Sequence, residues 1–383
     1  MRELTELREA IDGIDQQIVE LFEQRMQVTD EIAEYKFANG KKVFDREREA
    51  QKLTALRALA HDDFNRKGVT ELFTQIMSMS RKKQYDLLTQ RNVKGRLPFI
   101  EVPELEKTGV RVVFQGEEGA YSHAAMNAFF GDDVNSLHVK HFREAMELIA
   151  DGSADYGVLP IENSTAGIVE DNFDLLVDFE NYIVAEQVIP VEHVLMGAPG
   201  SSLETVRTVT SHPQALAQCE GFLSRHPGWK TEAGANTALA ARRIAEEGDV
   251  SLAAIGSEFA ARRFGLTVLA RHINDEERNA TRFMIVTNQR IFERGADRIS
   301  ICFQLPHAAG TLYSILSHFT FNDVDMTHIQ SRPVAGRSWE YRFFIDFVGN
   351  LGDASVKNAL RGIREEAINM KILGNYKVRT DRG

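Results

Sequence analysis

Residues 279–283 read NATRF and stand at the mouth of the apolar run MIVT. A threonine and an arginine side by side at the mouth of a hydrophobic strand need an explanation from the rest of the chain. Small polar clusters follow other apolar runs in the same region. GEEGAYSHAA supplies Tyr121 and Ser122, and PIENSTAG supplies Glu162, Asn163, Ser164 and Thr165. SHPQALAQC supplies Ser211 and His212, and GANTALAARR supplies Asn236 and Thr237. Each cluster alone reads as a helix N-cap, since Ser, Thr and Asn are the usual caps. Together they point to more. In parallel α/β sheets ligands sit beyond the carboxyl ends of strands, and helix N-termini bind anions. Several such termini could hold a dicarboxylate without a lysine cluster. GEEGAYS lacks G-x-G-x-x-G, so it is not a dinucleotide fingerprint.

A second polar set lies near the start of the chain. Leu4, Leu7, Ile11, Ile14, Ile18 and Leu21 form an apolar seam that resumes at Val28, Ile32 and Tyr35. Arg25 occupies a seam position where Leu or Ile belongs. A buried guanidinium needs a partner, either an acid of the protein or an anionic ligand inside the bundle. Lys36 stands 11 residues later on nearly the same face, ~16 Å along the axis. Arg8 stands 17 residues before Arg25, roughly 25 Å away, too far to share one small ligand within a single chain. A functional Arg8 would therefore serve a second chain's pocket. VFDREREAQKL adds Asp45, Arg48 and Glu49, and VTELFTQIMSMSRKKQ puts Ser80 and Gln84 on one helical face at i, i+4.

The elements that must position these residues fall into three segments. Residues 1–90 read as wholly helical, without proline. RNVKGRLPFIEVPELEKTG, 91–109, reads as a linker with two prolines. From residue 110 to 290, apolar runs alternate with helical stretches, the pattern of α/β layers with parallel strands. Residues 296–383 spell βαββαβ, the ferredoxin-like order. With 383 residues the chain has room for two or three domains. A formal charge of −11 argues against nucleic-acid or anionic-membrane partners. Cys219 and Cys302 lack metal-ligand spacing and read as reduced core residues of a cytoplasmic protein. No apolar run reaches the ~18 residues of a membrane span, and the start carries no apolar signal region.

Over its whole length the first segment resembles the all-helical chorismate mutases. The resemblance implies that Arg8 of a partner chain and Arg25 hold carboxylates, with Arg48 supporting the pocket. Lys36 and Gln84 would donate to the ether oxygen that breaks, and Asp45, Glu49 and Ser80 would hold the hydroxyl and carboxylate side. A pericyclic rearrangement moves no proton and uses no nucleophile. Fixed cations and amides suit it, because they hold the folded conformer and stabilise charge on the ether oxygen.

GEEGAYSHAA, PIENSTAG, SHPQ and TRF together resemble prephenate dehydratase, a fold of two α/β lobes with the substrate in the cleft between them. The resemblance makes Thr281 the catalytic hydroxyl and Arg282, beside Phe283, the carboxylate partner. Thr281 is a weak acid, so it reads as a hydrogen-bond donor relaying from another group. Glu162 is the first candidate for that group and His212 the second. His123, His193 and Asp171 carry no assignment.

The tail resembles the ACT domains that sense amino acids. In dehydratases it usually carries GALV and ESRP; here Gly310, Thr311, Leu312 and Tyr313 read GTLY, and Gln330, Ser331, Arg332 and Pro333 read QSRP. Asp325 stands where the family has a polar amide; it could pair with a ligand ammonium or be a solvated turn residue. A tail used only for dimerisation remains the alternative. The expectation is thus a multi-domain protein: an all-α chorismate mutase domain, a two-lobed α/β dehydratase domain and a ferredoxin-like ACT domain. It would act on chorismate and prephenate without metal or cofactor, answer to phenylalanine, and form a homodimer or higher homo-oligomer. The rival readings are a non-catalytic amino-acid or dicarboxylate sensor and a protein retaining one activity.

Overall fold

The computed structural model describes residues 2–91, 98–276, 278–334, 336–337 and 339–380. It opens with α1 (Leu4–Ala38), a rod of 35 residues. The Glu6 carboxylate accepts from the Glu3 N–H at 3.3 Å at its start. Gly40 follows its end at φ +61°, a left-handed conformation that glycine adopts without steric cost. α2 (Arg46–Ala58) and α3 (Asp63–Gln90) begin at Asp45 and Asp62. These carboxylates accept from Arg48 N at 3.0 Å and Asn65 N at 2.8 Å, the cap that frees a helix start from orphan donors.

Residues 92–97 of the expected linker lie outside the described residues. Later in that stretch β1 (Ile100–Val102) pairs in parallel with residues Ile291–Glu293. A first lobe is built from β2 (Arg111–Gln115), α4 (Tyr121–Phe130), β3 (Asn135–Val139), α5 (Phe142–Ala150), β4 (Tyr156–Asn163), β5 (Gly167–Ile168), α6 (Glu170–Asp178) and β6 (Tyr182–Pro190). A second lobe holds β7 (His193–Gly197), β8 (Thr208–Ser211), α7 (Pro213–Ala217), α8 (Glu220–Ser224), β9 (Lys230–Ala233), α9 (Thr237–Glu247), β10 (Leu252–Ser257), α10 (Glu258–Arg263) and β11 (Thr267–Ala270). The chain then returns through β12 (Ala280–Thr287) to the first lobe and β13 (Ile291–Glu293). The tail follows as β14 (Arg298–Gln304), α11 (Thr311–Phe321), β15 (Met326–Pro333), β16 (Tyr341–Val348), α12 (Ala354–Glu366) and β17 (Ile368–Thr380), in βαββαβ order.

Both lobes are mixed sheets, not the purely parallel ones that alternation suggests. In the first, β2 runs parallel to β3 and β4, whereas β12 runs antiparallel to both β4 and β6. In the second, β8 is parallel to β9 and β10, and β7 is antiparallel to β10 and β11. The cause is the chain path. The chain leaves the first lobe at the end of β6, passes through the whole second lobe and re-enters β12 at that same end, Ala280 opposite Pro190, so the two strands meet antiparallel. Val112, Phe114, Met126, Val158 and Ile285 anchor one core; Leu195, Val209, Ala253 and Ile255 anchor part of the other.

The chain divides into two compact units. One gathers Met1–Leu97 and Ile301–Lys371, the other Pro98–Ser300 and Ile372–Gly383. Helices at both ends of the chain thus share a unit, in which α3 packs against α1, α2, α11 and α12. The buried run of α3 is unusually polar, with Ser78, Ser80, Arg81, Lys82, Gln84 and Tyr85 enclosed. The seam of α1 behaves differently: Leu4, Ile11, Ile18 and Leu21 are 53–65% exposed within one chain. Cys219 and Cys302 are buried free thiols. Among the described residues no helix is long and apolar enough to cross a membrane.

Candidate active sites

The helical unit brings most of its expected polar set together. Arg25 Nη1 donates to the Ser80 hydroxyl, one helix to another. Burial lowers the Arg25 pKa against the opposing charge of Glu49. Lys36, in the last turn of α1, donates to Val43 O at 2.5 Å. Burial lowers its pKa too, while Asp45, Glu49 and Glu365 oppose the shift. Gln84 is buried, its Nε2 bonded to Ser80 O at 3.2 Å and its Oε1 left without a partner. The amide thus donates within its own helix and turns its acceptor, not its donor, to the enclosed space. Glu49 is bonded to Arg81 at 2.5 Å. Asp45 caps α2, and Arg48 is exposed. Arg8 is exposed near the start of α1, apart from this cluster.

In the other unit a cleft of about 350 Å³ lies between the lobes. Tyr121, Asn163, Asn279 and Thr281 line it from the first lobe and its return strand; His193, His212, Gln214, Gln218, Asn236 and Thr237 line it from the second. Three helix starts face it. α4 begins after Gly119 (φ +86°) at Ala120, which supplies no side-chain cap, so the first N–H groups stay open. His212 caps α7 by accepting from Gln214 N at 3.2 Å, and Asn236 caps α9 by accepting from Leu239 N at 2.7 Å. This is the concave, dipole-lined shape that suits a small dianion.

Asn163 fixes the direction of the Thr281 hydroxyl. Its Oδ1 accepts from Thr165 N at 3.1 Å, Thr165 Oγ1 at 2.8 Å and Ala166 N at 2.8 Å. Three donors at one atom settle the amide's orientation, so Nδ2 faces Thr281 Oγ1 at 2.9 Å and Asn279 Oδ1 at 2.8 Å. Thr281 therefore accepts from Asn163 and keeps its own proton free for the cleft.

Residues 7–85 match the family described as chorismate mutase type II, and residues 112–291 match prephenate dehydratase. Over 380 residues the chain is 32% identical to the bifunctional chorismate mutase/prephenate dehydratase of Stutzerimonas stutzeri, covering 98% of this chain and 97% of that protein. The chain belongs to the bifunctional chorismate mutase/prephenate dehydratase family. The Escherichia coli K12 member is 31% identical, covering 97% of this chain and 96% of that protein. A prephenate dehydratase from Arthrobacter aurescens, solved in complex with L-Phe, superposes with a TM-score of 0.64 at 31% identity. It covers 72% of this chain and 91% of that one. As a member of this family the chain is an enzyme with two activities of phenylalanine biosynthesis, an isomerase and a lyase.

Several dehydratase residues expected from sequence stand elsewhere than in the cleft lining. Glu162 and Arg282 pair with each other at 2.7 Å, and Arg282 also grips buried Glu186 at 2.8 and 3.0 Å. Successive strand residues point to opposite faces, so Arg282 turns away where Thr281 turns in. The expectations that Glu162 backs Thr281 and that Arg282 holds substrate are corrected accordingly: Asn163 backs Thr281, and Arg282 is neutralised by two acids. Ser211 is fully buried and donates to Ile255 O at 2.7 Å, and Phe283 is a core residue. Ser122 is buried on α4. Ser164 ties the loop to β12 by donating to Arg278 O at 3.1 Å and accepting from Ala280 N at 3.0 Å. Thr165 accepts from Gln218 at 3.3 Å.

His193 and Gln218 were missed. His193 is 2% exposed, with Nδ1 3.0 Å from the Tyr121 hydroxyl and Nε2 3.0 Å from Gln218 Oε1. Burial pushes the His193 pKa down against the Gln218 hydrogen bond, and burial raises the Tyr121 pKa, so both are neutral at pH 7. Gln214 and Gln218 at i, i+4 just past SHP carried the signal.

In the tail, a pocket of about 430 Å³ is lined by Thr311 and Leu312 of GTLY with His307, Trp339, Tyr341 and Phe343. Gly310 starts α11 at φ +82°, and Tyr313 is 62% exposed. Gln330, Ser331, Arg332 and Pro333 lie on β15, paired with β16 from Phe344 to Tyr341. Asp325 is exposed, and its carbonyl accepts from Val348 N at 2.8 Å.

Proposed function

We propose that the two activities reside in two separate polar sets of this chain. In the mutase pocket Arg25 holds a carboxylate of chorismate while Lys36 and Gln84 donate to the breaking ether oxygen. Ser80, Glu49 and Asp45 hold the hydroxyl side, and Arg48 supports the rim. Arg8 comes from a second chain. The exposed seam of α1 supports that pairing, because an apolar stripe of this length seeks a partner helix. The protein works by holding the folded conformer and stabilising charge as one C–O bond breaks and one C–C bond forms.

In the dehydratase cleft, the uncapped start of α4 and the N–H groups left open at the start of α9 hold the prephenate carboxylates, with Tyr121, His212 and Thr237 beside them. The ring carboxylate leaves as carbon dioxide, and its bonding electrons enter the ring. The ring hydroxyl departs and becomes water with the aid of the proton that Thr281 presents. The aromatic product is phenylpyruvate. The single observation that carries this reading is the Asn163–Thr281 arrangement, which turns a hydroxyl donor into the cleft.

The domains proposed are mutase over 1–90, linker over 91–109, dehydratase over 110–290 and an ACT tail over 296–383. The tail binds phenylalanine near GTLY, in paired tails of a homodimer or larger oligomer, and its binding lowers dehydratase activity. Neither reaction calls for a metal or cofactor, and the buried thiols suit a cytoplasmic enzyme. The test is purified protein given chorismate, with chorismate loss and phenylpyruvate appearance followed separately. Loss of one signal alone would leave a single activity; loss of both would favour a sensor.

A further inference from the structure

Arg81 has no assigned part in either reaction, yet it is one of the most enclosed charges of the helical unit, 5% exposed. Its two arms are held by different acids. Nη1 donates to Glu49 at 2.5 Å and Nη2 donates to Glu366 at 2.8 Å. A guanidinium is a rigid planar fork, so fixing one arm aims the other. Glu366 ends α12 and is itself fixed at both oxygens. Oε1 accepts from Arg81 and from His318 Nε2 at 3.0 Å, and Oε2 accepts from Ser314 Oγ at 2.8 Å. The neighbouring Glu365 accepts from Phe44 N at 3.0 Å and Tyr85 OH at 2.6 Å. Arg46 in turn donates to the last carbonyls of α12, Glu365 O at 3.3 Å and Glu366 O at 3.2 Å. Phe44 and Arg46 flank Asp45. The end of α12 therefore grips the turn that carries Asp45 and, through Arg81, the carboxylate of Glu49.

We infer that Glu366, acting through Arg81, is a positioning residue of the mutase pocket that sets the Glu49 carboxylate for chorismate. The inference rests on the pocket reading above and extends the site to the far end of the chain. Glu49 stands within the field of two further cations, Arg25 and Lys36. Left to itself it would swing toward them and neutralise the charges meant for the substrate. Arg81 holds it back, and Glu366 fixes Arg81 in the position from which it can do so. A merely structural ion pair would lower stability on loss and leave the turnover of folded protein unchanged.

The full-length chain tests this. Glu366→Gln should lower mutase kcat about tenfold, within the range of coupled neighbours. Far-ultraviolet circular dichroism of the same sample should match wild type and its urea transition should stay cooperative, the control for folding of the helical unit, and dehydratase kcat/KM should hold. Glu49→Gln should also slow the mutase, and the double variant should be no slower than Glu49→Gln alone, since both changes release the same carboxylate. Losses that multiply in the double variant would overturn the inference. So would an unchanged mutase kcat in Glu366→Gln beside a slow Glu49→Gln. Full mutase activity in Glu49→Gln would instead overturn the pocket reading itself. If Glu366→Gln loses its helical signal by misfolding, Ser314→Ala removes one donor from Glu366. It should cost about threefold in mutase kcat, again without adding to Glu49→Gln; a silent or additive Ser314→Ala would overturn the proposal.

Discussion

Exchanging Asn163 for aspartate keeps the side chain's shape, reverses the hydrogen bond to Thr281 and removes the N–H donor to Asn279 Oδ1 and Ala280 O. In the native chain Nδ2 donates to Thr281 Oγ1 at 2.9 Å, which leaves the threonine proton for the substrate. Oδ1 already satisfies three donors from Thr165 and Ala166, and a carboxylate would keep them. On the other side Asp would offer an oxygen where Thr281 expects a donor. The hydroxyl would turn and donate to it, away from the cleft. Asn163→Asp should therefore cost about as much as Thr281→Ala, roughly 10²–10³-fold in dehydratase kcat for one transition-state donor. KM should change little, and the double variant should match either single one. Thr281→Ser should be much milder because it keeps the hydroxyl. The assay is phenylpyruvate formation from prephenate, with spontaneous acid conversion subtracted. An Asn163→Asp enzyme with near-native kcat would refute the donor argument, as would equal losses in Thr281→Ala and Thr281→Ser.

Lys36→Ala should lower chorismate turnover by about 10²–10³-fold while the dehydratase keeps its activity; a loss under about tenfold would mean the ether contact lies elsewhere. Arg8→Ala and Arg25→Ala should each abolish mutase activity, and mixing them with verified subunit exchange should restore part of it. Phenylalanine should inhibit the dehydratase sigmoidally and bind by calorimetry; binding without inhibition would make the tail a passive pairing module. His318 and Arg81 overcome the effect of burial on Glu366 and bring its pKa from the usual 4.5 to about 2. A lowered carboxylate pKa stabilises above the unfolded value, so this contribution, roughly 3 kcal/mol, is present at neutral pH and fades between about pH 4.5 and 2. Urea unfolding should show the gap between wild type and Glu366→Gln narrowing across that window, and a constant gap would contradict the assignment.

The order of elements was legible because local signals agree: a proline-free start reads as helix, two prolines mark 91–109, and from 110 to 290 apolar runs alternate with helical stretches. The cleft was half legible. Tyr121, Asn163, His212, Thr237 and Thr281 line it as expected, since strand ends and helix starts are written in adjacent residues. Arg282 was misread even though period-2 alternation places it opposite Thr281. The sheets' mixed pairing depends on a return through the second lobe that strand patterns do not record. Arg81 and Glu366 lie 285 positions apart, and nothing local at either end names the other. His193 was hidden because an enclosed histidine at a strand start looks like core until its two neighbours, Tyr121 and Gln218, are in place.

The unit shared by the chain's two ends has a consequence in time. Its first part is complete by Leu97, and its second begins only at Ile301, about 200 residues later. At a ribosome adding ~5–20 residues per second, that interval lasts about 10–40 s. Throughout it, α1–α3 and with them Glu49 have been made, but Glu366, the second acid on Arg81, and the carbonyls that Arg46 caps have not. With one of its two acids and the packing of α11 and α12 still missing, Arg81 is only half neutralised, so α3 cannot settle into its final packing during synthesis. The helices made first are the last to reach their final surroundings. A nascent chain halted between the two parts would carry an unfinished mutase beside a dehydratase region already emerging from the ribosome.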